Sequence, residues 1–210
     1  AHDPRQREVG TRGARFRREA RLAFQPGDHF PGAGRQRGAL RLVHLVQLPD
    51  HHPEARIAVF NKGIGGERID ATIARFEKDV FQLNPDLVIW QVGTNDATAN
   101  DAIQHFESSL SAGIQQLKVK GKDIILMSPQ FSPRMNVRSN QLLYIETIRS
   151  DAQRYGVQLF RRFDIMKGWY EDGMPYAQFV QLDGLHLNDF GQKCIGRLLT
   201  QSILNALTKP

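Results

Sequence analysis

The stretch Asp86-Leu-Val-Ile-Trp-Gln-Val92 limits the fold of this chain more than any other. Its apolar residues follow one another instead of alternating, so a strand formed here buries both of its faces. That arrangement belongs to the interior of a parallel sheet with helices on either side. The run passes directly into Gly93-Thr-Asn95-Asp96, a polar turn at the strand's C-terminal end. Comparable short runs lie at Arg56–Asn61, Ile124–Met127 and Val157–Phe160, and Leu22-Ala-Phe24 is a weaker fifth. Between them the apolar period changes to that of helices. Ile69, Ile73, Phe76 and Val80 form one helical face. Ile103, Phe106, Leu110, Ile114 and Leu117 form another, in a helix from about Asp101 that stops before Gly121. Leu142, Ile145, Ile148, Ala152 and Tyr155 read as the inward face of a helix opened by Ser139 and stopped by Gly156. A last helix runs from about Asp189 to Leu207. Leu42 to Leu48 reads as a short helix ending near Pro49. Strands alternating with helices give an α/β class with a parallel sheet covered on both faces.

Charge divides the chain. Its formal net charge is +6, and residues 1–41 contain ten Arg, no Lys and four acids, whereas residues 42–210 balance 18 basic against 18 acidic side chains. The first segment is Arg/Gly-rich and has no sustained period, so the sequence separates an atypical segment, 1–41, from a patterned domain, 42–210. A basic arm can serve nucleic acid or an anionic membrane. This one lacks the interleaved aromatics of a base-stacking surface and the apolar stripe of a membrane helix, so neither partner is expected. With no run of 18 apolar residues there is no transmembrane segment to expect. No charged-then-apolar leader precedes the domain, and the reading is a soluble chain, cytoplasmic or exported with its leader removed. The single cysteine, Cys194, excludes an internal disulfide framework and reads as a small buried residue.

In parallel α/β sheets, sites lie beyond the C-terminal ends of the strands. Three polar segments fall there: the glycine turn Lys62-Gly63-Ile64-Gly65-Gly66, the Gly93–Asp96 loop, and the turn Gln181-Leu-Asp183-Gly-Leu-His186-Leu-Asn188 before the last helix. A histidine serves as a general base when a carboxylate holds one ring nitrogen in the right tautomer, so Asp183 can hold and His186 can act. The Gly66 N–H and the Asn95 amide are the donor types that stabilise a tetrahedral oxyanion. Each feature also has a plain structural reading. Asp-x-x-His occurs in surface turns, the glycines can simply reverse the chain, and Asn95 can form an Asx turn or cap a helix. The glycines lack G-x-G-x-x-G spacing and no P-loop is present, so no nucleotide cofactor is expected.

Taken together and in order, Asn61-Lys-Gly63-Ile-Gly-Gly66, Gly93-Thr-Asn95-Asp96 and Asp183-Gly-Leu-His186 resemble the second, third and fifth blocks of the SGNH (GDSL-type) hydrolases, over about residues 42–210. The resemblance implies a three-layer α/β/α sandwich around a parallel, about five-stranded, flavodoxin-like sheet. It also implies ester hydrolysis through an acyl-enzyme, with Gly66 and Asn95 as oxyanion donors, His186 as base, Asp183 as its orienting carboxylate, and no metal or cofactor. Substrates of that class are small esters, lipids or acetylated carbohydrates. The first block departs from the pattern. Gly27-Asp28-His29 stands where Gly-Asp-Ser is expected, and no serine precedes Ser108. Ser108, Ser109 and Ser111 fall within a helical pattern directed away from the site. The nucleophile position therefore falls at or near His29, which is itself no substitute, because imidazole attack on an ester gives an acyl-imidazole without the triad's proton transfer. Two readings follow: an ester hydrolase whose first 41 residues are foreign to the site, as a shifted reading frame would make them, with an irregular first strand; or a non-catalytic relative that binds an acyl or carbohydrate ligand. The segment Lys167–Val180, with Trp169, Tyr170, Met174, Tyr176 and Phe179, reads either as a wall of the substrate pocket or as a loop packed over the core.

Overall fold

The structure, a computed structural model, describes residues 19–25 and 56–207. Five parallel strands form one sheet: β1 (Glu19–Gln25), β2 (Arg56–Asn61), β3 (Leu87–Gln91), β4 (Asp123–Met127) and β5 (Gln158–Phe160), in the order β2-β1-β3-β4-β5. This is the flavodoxin-like order. The weak Leu22–Phe24 signal corresponds to β1, which pairs with β2 from Glu19↔Arg56 to Phe24↔Asn61 and with β3 from Leu22↔Leu87 to Gln25↔Trp90. An irregular first strand is thereby corrected. β1 gains regularity from hydrogen bonding on both edges, and the sheet reaches into residues 1–41 as well as 42–210. The expected Leu42–Leu48 helix and His29 lie outside the described residues.

β3 is buried throughout because the sheet has two covered faces. Leu87 and Ile89, with Ile125 and Met127 of β4, pack against Phe163 and Met166 of α7 (Arg162–Glu171) and against Ile195, Leu199 and Ile203 of α8 (Asp189–Leu207). Val88 and Trp90, with Ile124 and Leu126, face α1 (Ile69–Ala74), α4 (Ile103–Val119) and α6 (Gln141–Tyr155). On α4, Phe106, Leu110, Ile114 and Leu117 are fully buried, as the period predicted. Gly113 lies on the same face because a β-carbon there would come within 2.4 Å of the Trp90 ring, so the helix can approach the sheet this closely only without a side chain.

Two helix readings are revised. The predicted helix from Ile69 to Val80 divides at Arg75 into α1 and α2 (Phe76–Asp79), although Ile69, Phe76 and Val80 remain buried. On α6 the inward stripe is Gln141, Tyr144, Ile145, Ile148 and Ala152, whereas Leu142 is 60% exposed. Position 142 lies about 100° around the helix from 141. The stripe is anchored by Tyr144, whose hydroxyl donates to the Asp101 carbonyl at 2.6 Å.

Candidate active site

The turn before α8 is closed by its own backbone. Val180 and Leu187 form an antiparallel bridge, Gln181 N–H donates to the His186 carbonyl at 2.7 Å, and Gly184 N–H donates to Gln181 at 3.0 Å. Inside it, Asp183 uses both carboxylate oxygens. Oδ1 accepts the backbone N–H groups of Leu185 and His186 at 2.9 and 3.0 Å, and Oδ2 lies 2.5 Å from His186 Nδ1. A short carboxylate folding back on its own turn gives this Asx geometry. Here it also holds the Nδ1 side of the imidazole, which leaves Nε2 as the ring position for proton transfer. Partial burial pushes the Asp183 carboxyl up. The hydrogen bonds from His186 and from the two backbone N–H groups outweigh that and hold it below the usual carboxylate range. His186 is only 4% exposed, whereas the Asp183 side chain keeps about a third of its surface in water, 35%.

The glycine turn follows β2. Gly66 sits at φ 81°, a backbone region that disfavours a side chain and that lets the chain turn sharply toward α1. The turn is held from below by Arg75, which donates to the Lys62 carbonyl at 3.1 Å and to Glu67 Oε2 at 2.5 Å, and which pairs with Asp79. From the other side Asn95 Nδ2 donates to the Glu67 carbonyl at 2.9 Å. Asn95 belongs to the first turn of a short helix, α3 (Thr94–Ala99), rather than to an open loop. Its neighbour Asp96 is buried and accepts the Ile69 N–H at 2.9 Å. Burial pushes the Asp96 carboxyl up, against the opposing pull of that hydrogen bond. Gly66 and Asn95, expected together from the sequence, are thus brought side by side.

A third segment joins these two and escaped the sequence reading: Ser128-Pro-Gln130 after β4. Gln130 is fully buried. Its Oε1 accepts Thr94 Oγ1 at 2.9 Å and Arg162 Nη2 at 2.8 Å, and its Nε2 donates to the Leu185 carbonyl at 3.3 Å. Arg162, itself buried, also donates to Gln91 Oε1 at 2.9 Å and to the Ser128 carbonyl at 3.1 Å, while Ser128 Oγ accepts the Phe163 N–H that opens α7. One side chain therefore links the residue before Asn95 to the residue before His186. The available signal was the placement of a polar segment at the end of a buried strand, the same criterion that identified the other two loops.

The serines within reach of the sequence argument lie elsewhere. Ser108, Ser109 and Ser111 are on α4 and donate to the His105 carbonyl, Asp70 and Asp151, respectively. Phe179 is wholly buried and meets Trp169 edge-on, and Tyr176 stacks on both Tyr170 and Phe131. The Lys167–Val180 segment thus packs over the core. Among the described residues no cluster of three or more His, Cys, Asp or Glu side chains is placed to hold a metal ion, and no helix is long and apolar enough to cross a membrane.

The comparisons with known proteins agree with the fold and with the family that the three loops resemble. The Non-GDSL lipase-like family matches residues 29–209, and the chain belongs to that family. The match begins upstream of Leu42, where the sequence pattern first becomes regular. An arylesterase of Vibrio mimicus is 25% identical over 151 residues, which make up 72% of this chain and 72% of that protein. An acetylxylan esterase of Geobacillus stearothermophilus is 33% identical over 49% of this chain and 57% of that one. The structure of Axe2, an acetylxylan esterase from Geobacillus stearothermophilus, superposes with a TM-score of 0.71 at 22% identity, covering 91% of this chain and 95% of that one. That likeness speaks for the fold. By family, the chain is an SGNH-type carboxylic ester hydrolase.

Proposed function

We propose that the chain cleaves small carboxylic esters, including acetylated carbohydrates, with His186 as base, Asp183 as the carboxylate that orients it, and the Gly66 N–H and Asn95 amide as oxyanion donors. The observation that carries this reading is the Asp183 carboxylate, with one oxygen bound by its own turn and the other at Nδ1 of a buried imidazole. The arylesterase and acetylxylan esterase relatives support the choice of small acyl groups. In the reaction, a serine oxygen bonds to the ester carbonyl carbon as its proton passes to His186 Nε2, and the carbonyl oxygen takes up the negative charge between the donors. Collapse breaks the bond to the alcohol, which leaves with that proton. Water then attacks the acyl group, gives a proton to Nε2, and releases the acid as the serine is reprotonated.

Position 29 carries histidine where this scheme needs serine. The chain as it stands therefore retains only catalysis from its oxyanion donors and binding, on the order of 10³–10⁴ over water. The test is p-nitrophenyl acetate hydrolysis by the parent chain and by His29→Ser. Turnover gained in His29→Ser and lost again when His186→Ala is added supports the assignment. No gain in a folded His29→Ser chain would mean that residue 29 stands outside the site, as a first segment foreign to it implies, or, where acetylated xylo-oligosaccharide still binds, a ligand-binding protein.

A further inference from the structure

We infer that Gln130 is a positioning residue that sets the distance and orientation between the oxyanion side of the site and its base. The inference rests on the roles proposed above for Asn95, Asp183 and His186. Those groups are carried by two different segments, the α3 turn after β3 and the turn before α8. Neither segment is part of a regular sheet, so their spacing is set by contacts between side chain and loop. Gln130 supplies such a contact in both directions. Its carbonyl oxygen binds Thr94, which precedes Asn95, and its amide nitrogen binds the carbonyl of Leu185, which precedes His186.

A glutamine amide is a rigid plane, so fixing its oxygen also aims its nitrogen. Arg162 fixes that oxygen. Its planar guanidinium donates to Gln130 Oε1, to Gln91 Oε1 at the end of β3, and to the Ser128 carbonyl beyond β4. The reference frame of the site is thus the C-terminal edge of the central strands, transmitted through one guanidinium and one amide. Such a chain transmits small displacements. A buried polar group left without a partner is costly, so the network favours one arrangement over looser ones. For a proton transfer that needs heavy atoms near 2.6–3.2 Å, a loosened base turn reduces rate without weakening substrate binding.

The experiment uses the full-length parent chain and needs no turnover. Proton NMR follows the His186 Nδ1–H, identified by its loss in His186→Gln, and its exchange with water. Gln130→Met keeps the side-chain length but removes all three hydrogen bonds, to Thr94, Arg162 and Leu185, and we expect exchange to accelerate at least tenfold, together with shifts of the Asn95 side-chain amide signals. Gln130→Glu keeps the acceptor for Thr94 and Arg162 but places an oxygen against the Leu185 carbonyl. It should accelerate the His186 proton while the Asn95 amide signals stay in place. Leu117→Ala, a buried truncation at the far end of α4 beside the start of β4, destabilises the fold and should leave both signals unchanged. An unaltered His186 exchange rate in either folded Gln130 variant overturns the inference. If His186→Ala has no effect on hydrolysis in the His29→Ser chain, the functional reading fails. If His186→Ala abolishes hydrolysis and the His186 proton is insensitive to Gln130, only the present inference fails.

Discussion

The molecule holds two histidine–aspartate pairs that look alike on paper. His105 Nε2 lies 2.7 Å from Asp70 Oδ2, and Asp70 also accepts Ser109 Oγ at 2.8 Å. A search for Ser, His and Asp in proximity would select this cluster over the Asp183–His186 turn. Its order is wrong for catalysis, because the carboxylate stands between serine and histidine and receives the serine proton's hydrogen bond itself. Its setting differs as well, with the His105 and Asp70 side chains 56% and 61% exposed against 5% and 35% for His186 and Asp183. An exposed pair is a screened surface contact worth little. The Asp183–His186 pair has its carboxylate held by two backbone N–H groups and its ring enclosed by the fold. Proximity is common to both; what separates them is how many other groups determine the geometry.

The largest effect that could break this contrast is on turnover. In the His29→Ser chain, His186→Ala should lower kcat by roughly 10⁶, as loss of a triad base does, while His105→Ala should leave it within about twofold. Steady-state kinetics on p-nitrophenyl acetate decides, and equal losses would reassign the base. Asp183→Asn should cost roughly 10⁴ in kcat by favouring the wrong tautomer, whereas Asp70→Asn should cost nothing measurable. Asn95→Ala should reduce kcat by roughly 10²–10³ with KM similar, because its hydrogen bond strengthens as charge develops. A change in KM alone would make it a ground-state contact.

The smallest effects concern pH. The hydrogen bond from His105 holds the Asp70 carboxyl below its ordinary range, and the same bond raises the His105 imidazole above its own. The lowered acid contributes stability that is present above the unfolded carboxylate value and lost as pH falls through the folded one. The raised imidazole contributes stability that is complete below its unfolded value and lost as pH rises through the folded one. The pair therefore helps most between about pH 4 and 6.5. The Tm difference between parent and His105→Ala should peak there and shrink in 1 M NaCl. Asp183, also lowered, should steepen the acid limb of the parent stability curve. In Asp183→Asn that part of the limb should flatten.

The parts of the fold that were legible were those coded by neighbours in sequence. β3 and β4 were read from apolar runs because burial on both faces leaves no alternation, and the Asp183–His186 contact was read from a spacing of three because both residues share one turn. β1 gave only a trace, since a strand paired on both edges can rely on its partners more than on its own composition. Leu142 was misplaced because one residue's rotation separates the two stripes that α6 offers, and the choice went to a tyrosine. Gln130 had only the signal of a polar segment closing a buried strand, and Arg162 had none. A buried arginine among neutral oxygens has the sequence signature of an ordinary surface arginine, and only the folded chain brings it to Gln91 and Gln130.

The strand order has a consequence for how this chain comes to be folded. β1 precedes both of its neighbours, β2 and β3, and parallel pairing with each requires a long intervening segment to be in place. During synthesis it must therefore wait with both edges unpaired until β2 has emerged, and with one edge still open until β3 has. Contacts so distant along the chain slow folding and lengthen the time a bare strand is open to other chains. Yield of soluble protein, more than the stability of the finished fold, is thus the quantity most sensitive to changes in its first strand.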